Sequence, residues 1–155
     1  ISIISGTFGK AFGSGGAFLA TDKITGENLI QNCGAFRYTT ALAPPLCASS
    51  LAALNLIESN PSWGGELQKK SIAIRDKLSQ NGWQRPIGEG PIISIILGSD
   101  ESTLDYQKKL EEQGLLTVSI RPPTVPEGKS RLRLVIKRKT PAEAFEKLIK
   151  VLKSR

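Results

Sequence analysis

The sequence predicts a mixed α/β chain in two parts, a strand-rich stretch over residues 1–60 and a small α+β domain over residues 61–155. Three observations predict it. Two short apolar runs flank a glycine-rich turn at the start, several segments repeat apolar residues at helical spacing, and three later segments are apolar or alternate. The 155 residues are 39% hydrophobic and 23% charged, an ordinary globular balance.

Residues 1 to 20 read as strand, turn, strand. Ile1 to Ser5 and Ala17-Phe18-Leu19-Ala20 are the apolar runs, and Gly6, Gly9, Gly13, Gly15 and Gly16 let the intervening backbone turn tightly. A short polar helix or loop is expected near Asp22 to Asn32, and Phe36 to Thr40 is expected to be extended. Pro44-Pro45 opens a helix with Leu46, Ser50, Ala53, Leu54 and Ile57 on one stripe. Asn60-Pro61-Ser62-Trp63-Gly64-Gly65 breaks the pattern and marks the expected domain boundary.

Leu67, Ile74 and Leu78 share one face of the next helix, which Asn81-Gly82 closes. Residues 91–97 read as a buried strand, and 101–113 as a helix ended by Gly114. Leu116, Val118 and Ile120 alternate, as do Leu132, Leu134 and Ile136, so each set is expected on the core face of a strand. In the last helix Thr140 is the expected N-cap, Pro141 the first helical residue and Glu143 the far side of a capping box. Phe145, Leu148, Ile149 and Leu152 form its buried stripe.

Composition narrows the function. No apolar run approaches the roughly 18 residues of a membrane span, and no basic flank or cleavage pattern marks a signal peptide. The expected setting is the cytoplasm. The chain opens on Ile1-Ser2-Ile3-Ile4 with no Met anywhere, and reads as a piece of something longer. Cys33 and Cys47 lie outside any CxxC pattern and there is no His, which argues against a disulfide framework or a metal site. Both thiols are expected to be small buried hydrophobes. The net charge of +7 is scattered apart from Lys137-Arg138-Lys139, and the aromatics are few. Nucleic acid is therefore not the expected partner, whereas a phosphate-bearing small molecule remains open.

Lys10 is the residue with the most chemistry. It lies in Gly6-Thr7-Phe8-Gly9-Lys10-Ala11-Phe12-Gly13, which is not a Walker loop, because Ile4 and Ala11 stand where Gly and Ser or Thr are required. The dinucleotide fingerprint fails as well, with Phe18 at its last glycine position. A lysine between small residues, with the Thr7 hydroxyl three positions earlier, is able to bond an aldehyde cofactor. On these residues alone, a surface lysine in a glycine turn is the plainer reading.

Arg131 and Arg133 share one strand face, opposite Leu132, Leu134 and Ile136. Arg121 is expected to face away from Val118 and Ile120, placing guanidinium forks from two strands on a common non-core side. Such forks hold a carboxylate bidentately, although solvated strand-face arginines are the plainer alternative. Pro122, Pro123 and Pro126 make the loop around Thr124 stiff.

Three motifs in order carry a family resemblance that covers essentially the whole chain. Gly6 to Phe18, Tyr38-Thr39-Thr40-Ala41-Leu42-Ala43-Pro44-Pro45, and Ile120-Arg121-Pro122-Pro123-Thr124-Val125-Pro126 followed by Ser130-Arg131-Leu132-Arg133-Leu134 resemble the α-oxoamine synthases. These are fold-type-I enzymes dependent on pyridoxal 5'-phosphate that condense an amino acid with an acyl thioester and release carbon dioxide.

The resemblance implies an α/β fold: the end of a large-domain sheet with a connecting helix, then a small C-terminal α+β domain. It implies that Lys10 is the catalytic, cofactor-bearing lysine and Thr7 a cofactor contact. Thr39 and Thr40 would reach phosphate in the neighbouring subunit of a homodimer. Arg133 would hold the substrate carboxylate, with Arg121 and Thr124 beside it. The Ile120–Pro126 wording most resembles members that use L-alanine and a pimeloyl thioester; other members usually differ there. The family's ring-stacking histidine and pyridine-pairing aspartate belong upstream, so an N-terminal half of the same enzyme is an expected partner, and this piece alone is expected to be inactive. The alternatives are another α-oxoamine synthase, or a non-catalytic α+β interaction module.

Overall fold

The computed structural model describes residues 2–153, so Ile1 of the first expected strand lies outside the described residues. Contacts gather the chain into two compact units, Ile1–Pro61 and Ser62–Arg155.

The first unit begins with an antiparallel hairpin of β1 (Ile3–Thr7) and β2 (Ala17–Thr21), in register from Ile3 opposite Thr21 to Thr7 opposite Ala17. The close approach explains one glycine: a Cβ on Gly6 would sit 2.4 Å from the Phe18 ring. Asp22 then caps α1 (Lys23–Asn32), its carboxylate accepting from the Thr25 amide at 2.9 Å and the Thr25 hydroxyl at 2.8 Å. These bonds hold the carboxyl below its usual pKa. Both oxygens are thus engaged in a helix cap.

The expected extended stretch from Phe36 is not extended. Phe36 and Arg37 belong to α2 (Gly34–Arg37), where the Cys33 carbonyl accepts from both of their amides and Gly34 accepts from Tyr38. Local bonds satisfy this backbone where no neighbouring strand is paired with it. Thr39 and Thr40 follow as irregular chain. Pro44 opens α3 (Pro44–Glu58), whose missing N–H costs nothing in a first turn. On α3 the expected stripe is the less exposed side, yet no described residue of this unit is buried. Cys33 is accordingly only half-buried and Cys47 exposed, contrary to the expected burial of both.

The second unit has a core. Its elements are α4 (Ser62–Gln80), β3 (Ile92–Gly98), α5 (Asp100–Glu112), β4 (Val118–Ile120), β5 (Ser130–Val135) and α6 (Ala142–Lys153). The sheet order is β3-β5-β4, antiparallel throughout, so β5 is central. One sheet face carries Ile93, Ile95, Leu132 and Leu134, buried with Leu78, Leu110, Leu148 and Leu152 of the helices. Burying each such side chain contributes about 1.5–3 kcal/mol. The other face carries Ile92, Ile96, Val118 and Val135, each about half exposed.

Three expectations change here. Ser62 to Gly65 is the start of α4 rather than a break: Ser62 Oγ donates to Glu66 Oε1 at 2.6 Å, and helical bonding carries through both glycines. On β4 the faces are reversed. Thr117 is buried, while Leu116 and Val118 point outward, because Val118 is opposite Arg133 and shares its side of the sheet. Finally, Thr140 closes a turn, its Oγ1 accepting from the Lys137 amide at 3.0 Å, and α6 starts at Ala142.

Side chains also reach both sheet edges. Arg75, almost wholly buried, donates to the Ile92 carbonyl at 2.8 Å on β3, and the Ser119 amide of β4 donates to Gln107 Oε1 at 3.0 Å. Burial, more than the neighbouring charges, pulls the Arg75 pKa down. Among the described residues, no helix is long and apolar enough to cross a membrane.

Candidate functional site

The hairpin sets the position of Lys10. The Phe8 amide donates to the Gly16 carbonyl and the Ser14 amide to the Phe8 carbonyl, each at 2.9 Å, while Gly13 donates to Lys10 itself at 3.0 Å. Lys10 thus stands in a tight turn at the end of the loop. Gly16, at φ 95°, has the Leu42 side chain 2.5 Å from where a Cβ would be. Phe8 stacks edge-on against Phe12 at 5.0 Å and lies 5.6 Å from Phe18, an aromatic cluster on the lysine loop and β2 that the sequence alone did not single out.

Lys10 and Thr7 are both exposed. Among the described residues the Lys10 ammonium has no carboxylate in ion-pair reach. Thr39 and Thr40 line a cleft of about 430 Å³ with Ser5 and Gly16. Lys10 is not among the residues lining that cleft.

These groups fit the cofactor that the sequence implied. An uncommitted amine suits an aldehyde, and exposed hydroxyls suit a phosphate. The Asp22 carboxylate is committed to its helix cap and is not free for a pyridine nitrogen.

In the second unit, Arg133 lies on the open face of the central strand, between Ser94 of β3 and Val118 of β4. The next row is Ile96, Arg131 and Ile120. Among the described residues no carboxylate is within ion-pair reach of Arg131 or Arg133. Strand alternation therefore placed these two correctly.

Arg121 is different. The strand ends at Ile120, and Arg121 turns to the α5 side, its Nη1 4.0 Å from Asp100 Oδ2. It does not share the face of Arg133, because it lies past the last strand residue and reaches the start of α5 instead. Asp100 also accepts from the buried Ser130 hydroxyl, tying α5 to the start of β5. Thr124 is exposed on the proline loop, where its amide donates to the Arg121 carbonyl at 3.0 Å, and the Pro122-Pro123 bond is cis. The Asp100–Ser130 link carried no sequence signal: its partners are thirty positions apart.

The sequence pattern described as aminotransferase class I and II matches residues 1–152. The chain belongs to that family. The family is dependent on pyridoxal phosphate. An 8-amino-7-oxononanoate synthase of Lysinibacillus sphaericus is 33% identical over 153 residues, covering 99% of this chain and 39% of that protein. The protein of the same description from Saccharophagus degradans is 37% identical over 152 residues, or 98% and 38%. The chain thus spans about two fifths of the length of these relatives.

Two solved structures show the fold. A serine palmitoyltransferase of Sphingomonas wittichii matches with a TM-score of 0.85 at 24% identity, over 99% of this chain and 39% of that one. An 8-amino-7-oxononanoate synthase of Francisella tularensis matches at 0.84 and 24%, over 98% and 44%. Within its family the chain has the mixed α/β fold of the C-terminal part of fold-type-I α-oxoamine synthases.

Proposed function

We propose that this chain is the C-terminal part of an 8-amino-7-oxononanoate synthase, which condenses L-alanine with a pimeloyl thioester, carried on CoA or a carrier protein, with loss of carbon dioxide. The observation that carries the reading is Arg133, without a carboxylate partner among the described residues, on an open strand face in a chain that also carries the Ile120–Pro126 loop and is 33–37% identical to synthases of that description.

In this reading Lys10 holds the cofactor covalently, and Thr7 bonds it from β1. Thr39 and Thr40 serve the site of a second subunit in a homodimer. Pyridoxal phosphate, when bound, supplies an aldehyde for the amino group and an electron sink for the α-carbon. Once the amino group of alanine has taken its place, the freed Lys10 Nζ would take the α-proton and return one to the product, as base and then acid. Arg133 grips the alanine carboxylate through its fork, and the proline loop keeps Thr124 at the edge of the site. Arg121 acts from behind, anchoring that loop to Asp100. The ring-stacking group and the carboxylate for the pyridine nitrogen come from the upstream half, and the assembled enzyme works in the cytoplasm.

The test uses the longer protein loaded with cofactor. It is expected to convert alanine and pimeloyl-CoA to the aminoketone in preference to glycine or serine with other acyl-CoAs. Borohydride is expected to fix the cofactor on the peptide containing Lys10. Labelling at another lysine overturns the role of Lys10, and preference for another amino acid overturns the substrate.

A further inference from the structure

We propose that a cavity of about 230 Å³ at the β3 edge of the sheet binds the far carboxylate of an aliphatic acyl chain, with Arg131 as its cation. The cavity forms where the loop after α4 meets β3 and β5. Trp83, Pro86, Ile87 and Ile96 supply apolar wall, and Ser94 and Arg131 supply polar groups. A pocket of mostly apolar lining with a few convergent polar groups takes a ligand of the same make-up, an apolar body with one polar end.

The charge in this cavity is cationic and unanswered. Arg85 also lines it, but its Nε is held by Asp76 at 2.8 Å. Arg131 donates its Nε to the Lys129 carbonyl at 3.0 Å, which leaves the outer nitrogens of its fork without a carboxylate partner among the described residues. A half-buried guanidinium beside apolar wall binds an anion more strongly than a solvated one does.

The condensation proposed above supplies the identity of the anion. Arg131 and Arg133 are two residues apart on one face of β5, about 7 Å along the strand. Two such forks in file suit two carboxylates joined by an aliphatic spacer. A dicarboxylic acyl group condensing with an amino acid presents that pair: the amino-acid carboxylate at Arg133 and the far acyl carboxylate at Arg131. A plain fatty acyl group has no second anion, and would leave Arg131 desolvated and unpaired. The cavity would therefore select acid-terminated acyl chains. This assignment of the two ends rests on the condensation reading above; the anion site itself does not.

Two measurements separate those claims. In the 155-residue chain, emission from Trp83 in the cavity wall is expected to respond saturably to pimelate and not to 1,7-heptanediol. Arg131→Gln is expected to weaken pimelate at least tenfold, and Arg131→Lys to weaken it less, which a misfolded variant would not do. Pimelate affinity that is the same in Arg131→Gln overturns the site, whether or not the enzyme condenses alanine. In the longer enzyme, the preference in kcat/KM for pimeloyl-CoA over heptanoyl-CoA is expected to narrow at least tenfold in Arg131→Gln. An undiminished preference overturns the role in acyl selection.

Discussion

Arg133 tests the carboxylate-binding face most directly. Its fork is exposed, flanked by Ser94 and Val118, and carries no ion pair among the described residues. If it clamps alanine, Arg133→Ala in the longer protein should weaken alanine binding by about 2–5 kcal/mol, the scale for losing one partner of a desolvated charge pair. Arg133→Lys should not restore it, because an ammonium lacks the planar fork. Titration with alanine, followed through cofactor absorbance, reads both, and unaltered affinity in Arg133→Ala would make it a solvated strand residue. Arg121 should behave otherwise. Its pair with Asp100 is half exposed on both sides, and such pairs contribute about 0–1 kcal/mol, so its replacement acts on loop order more than on stability.

At the scale of elements, α4 makes a simple claim. Gly64 and Gly65 lie in its first turn, and a Cβ at either meets nothing within 4 Å. Gly65→Ala should therefore stabilise the protein by about 0.5–1 kcal/mol, the conformational advantage of Ala over Gly in a helix, read from the midpoint of urea unfolding. A lower midpoint would show that this stretch is not helical in solution. The same stretch shows why sequence reading erred there: Gly-Gly after Pro is a local break signal, and helix continuation on either side outweighs it. Helices α3 and α6 were legible because each combines an apolar stripe with proline beside its start, and α5 from the helical stretch that Gly114 ends. β5 was legible from strict alternation. β4 was not, since alternation says which residues share a face and not which face is covered. Thr117 went inside and Leu116 outside. Of the site, the loop lysine and the β5 arginines were visible as local patterns, whereas the Phe8–Phe12–Phe18 cluster and the Asp100 link depend on contacts between distant residues.

At the scale of the molecule the two units differ in kind. The second buries a continuous apolar cluster from Ile74 to Leu152, while the first shows many exposed large hydrophobics, among them Ile4, Phe18, Leu46 and Leu54, and no buried residue among those described. A chain of this length can sustain one modest core, and here one unit has it. In the isolated chain, hydrogen exchange should find strong protection in β3, β5 and α6 and weak protection in β1 and β2. In the longer protein, β1 and β2 should become protected. Strong protection of Ile3–Thr7 and Ala17–Thr21 in a monomeric isolated chain would count against this dependence.

The side chains at the sheet edges have a further consequence. Arg75 occupies a carbonyl on one outer strand and Gln107 an amide on the other, so each border is interrupted at a point where a foreign strand would need to register. Growth by zipping on another strand is discouraged at both margins. The edges of this sheet are thus guarded by side chains of its own helices, one from α4 and one from α5.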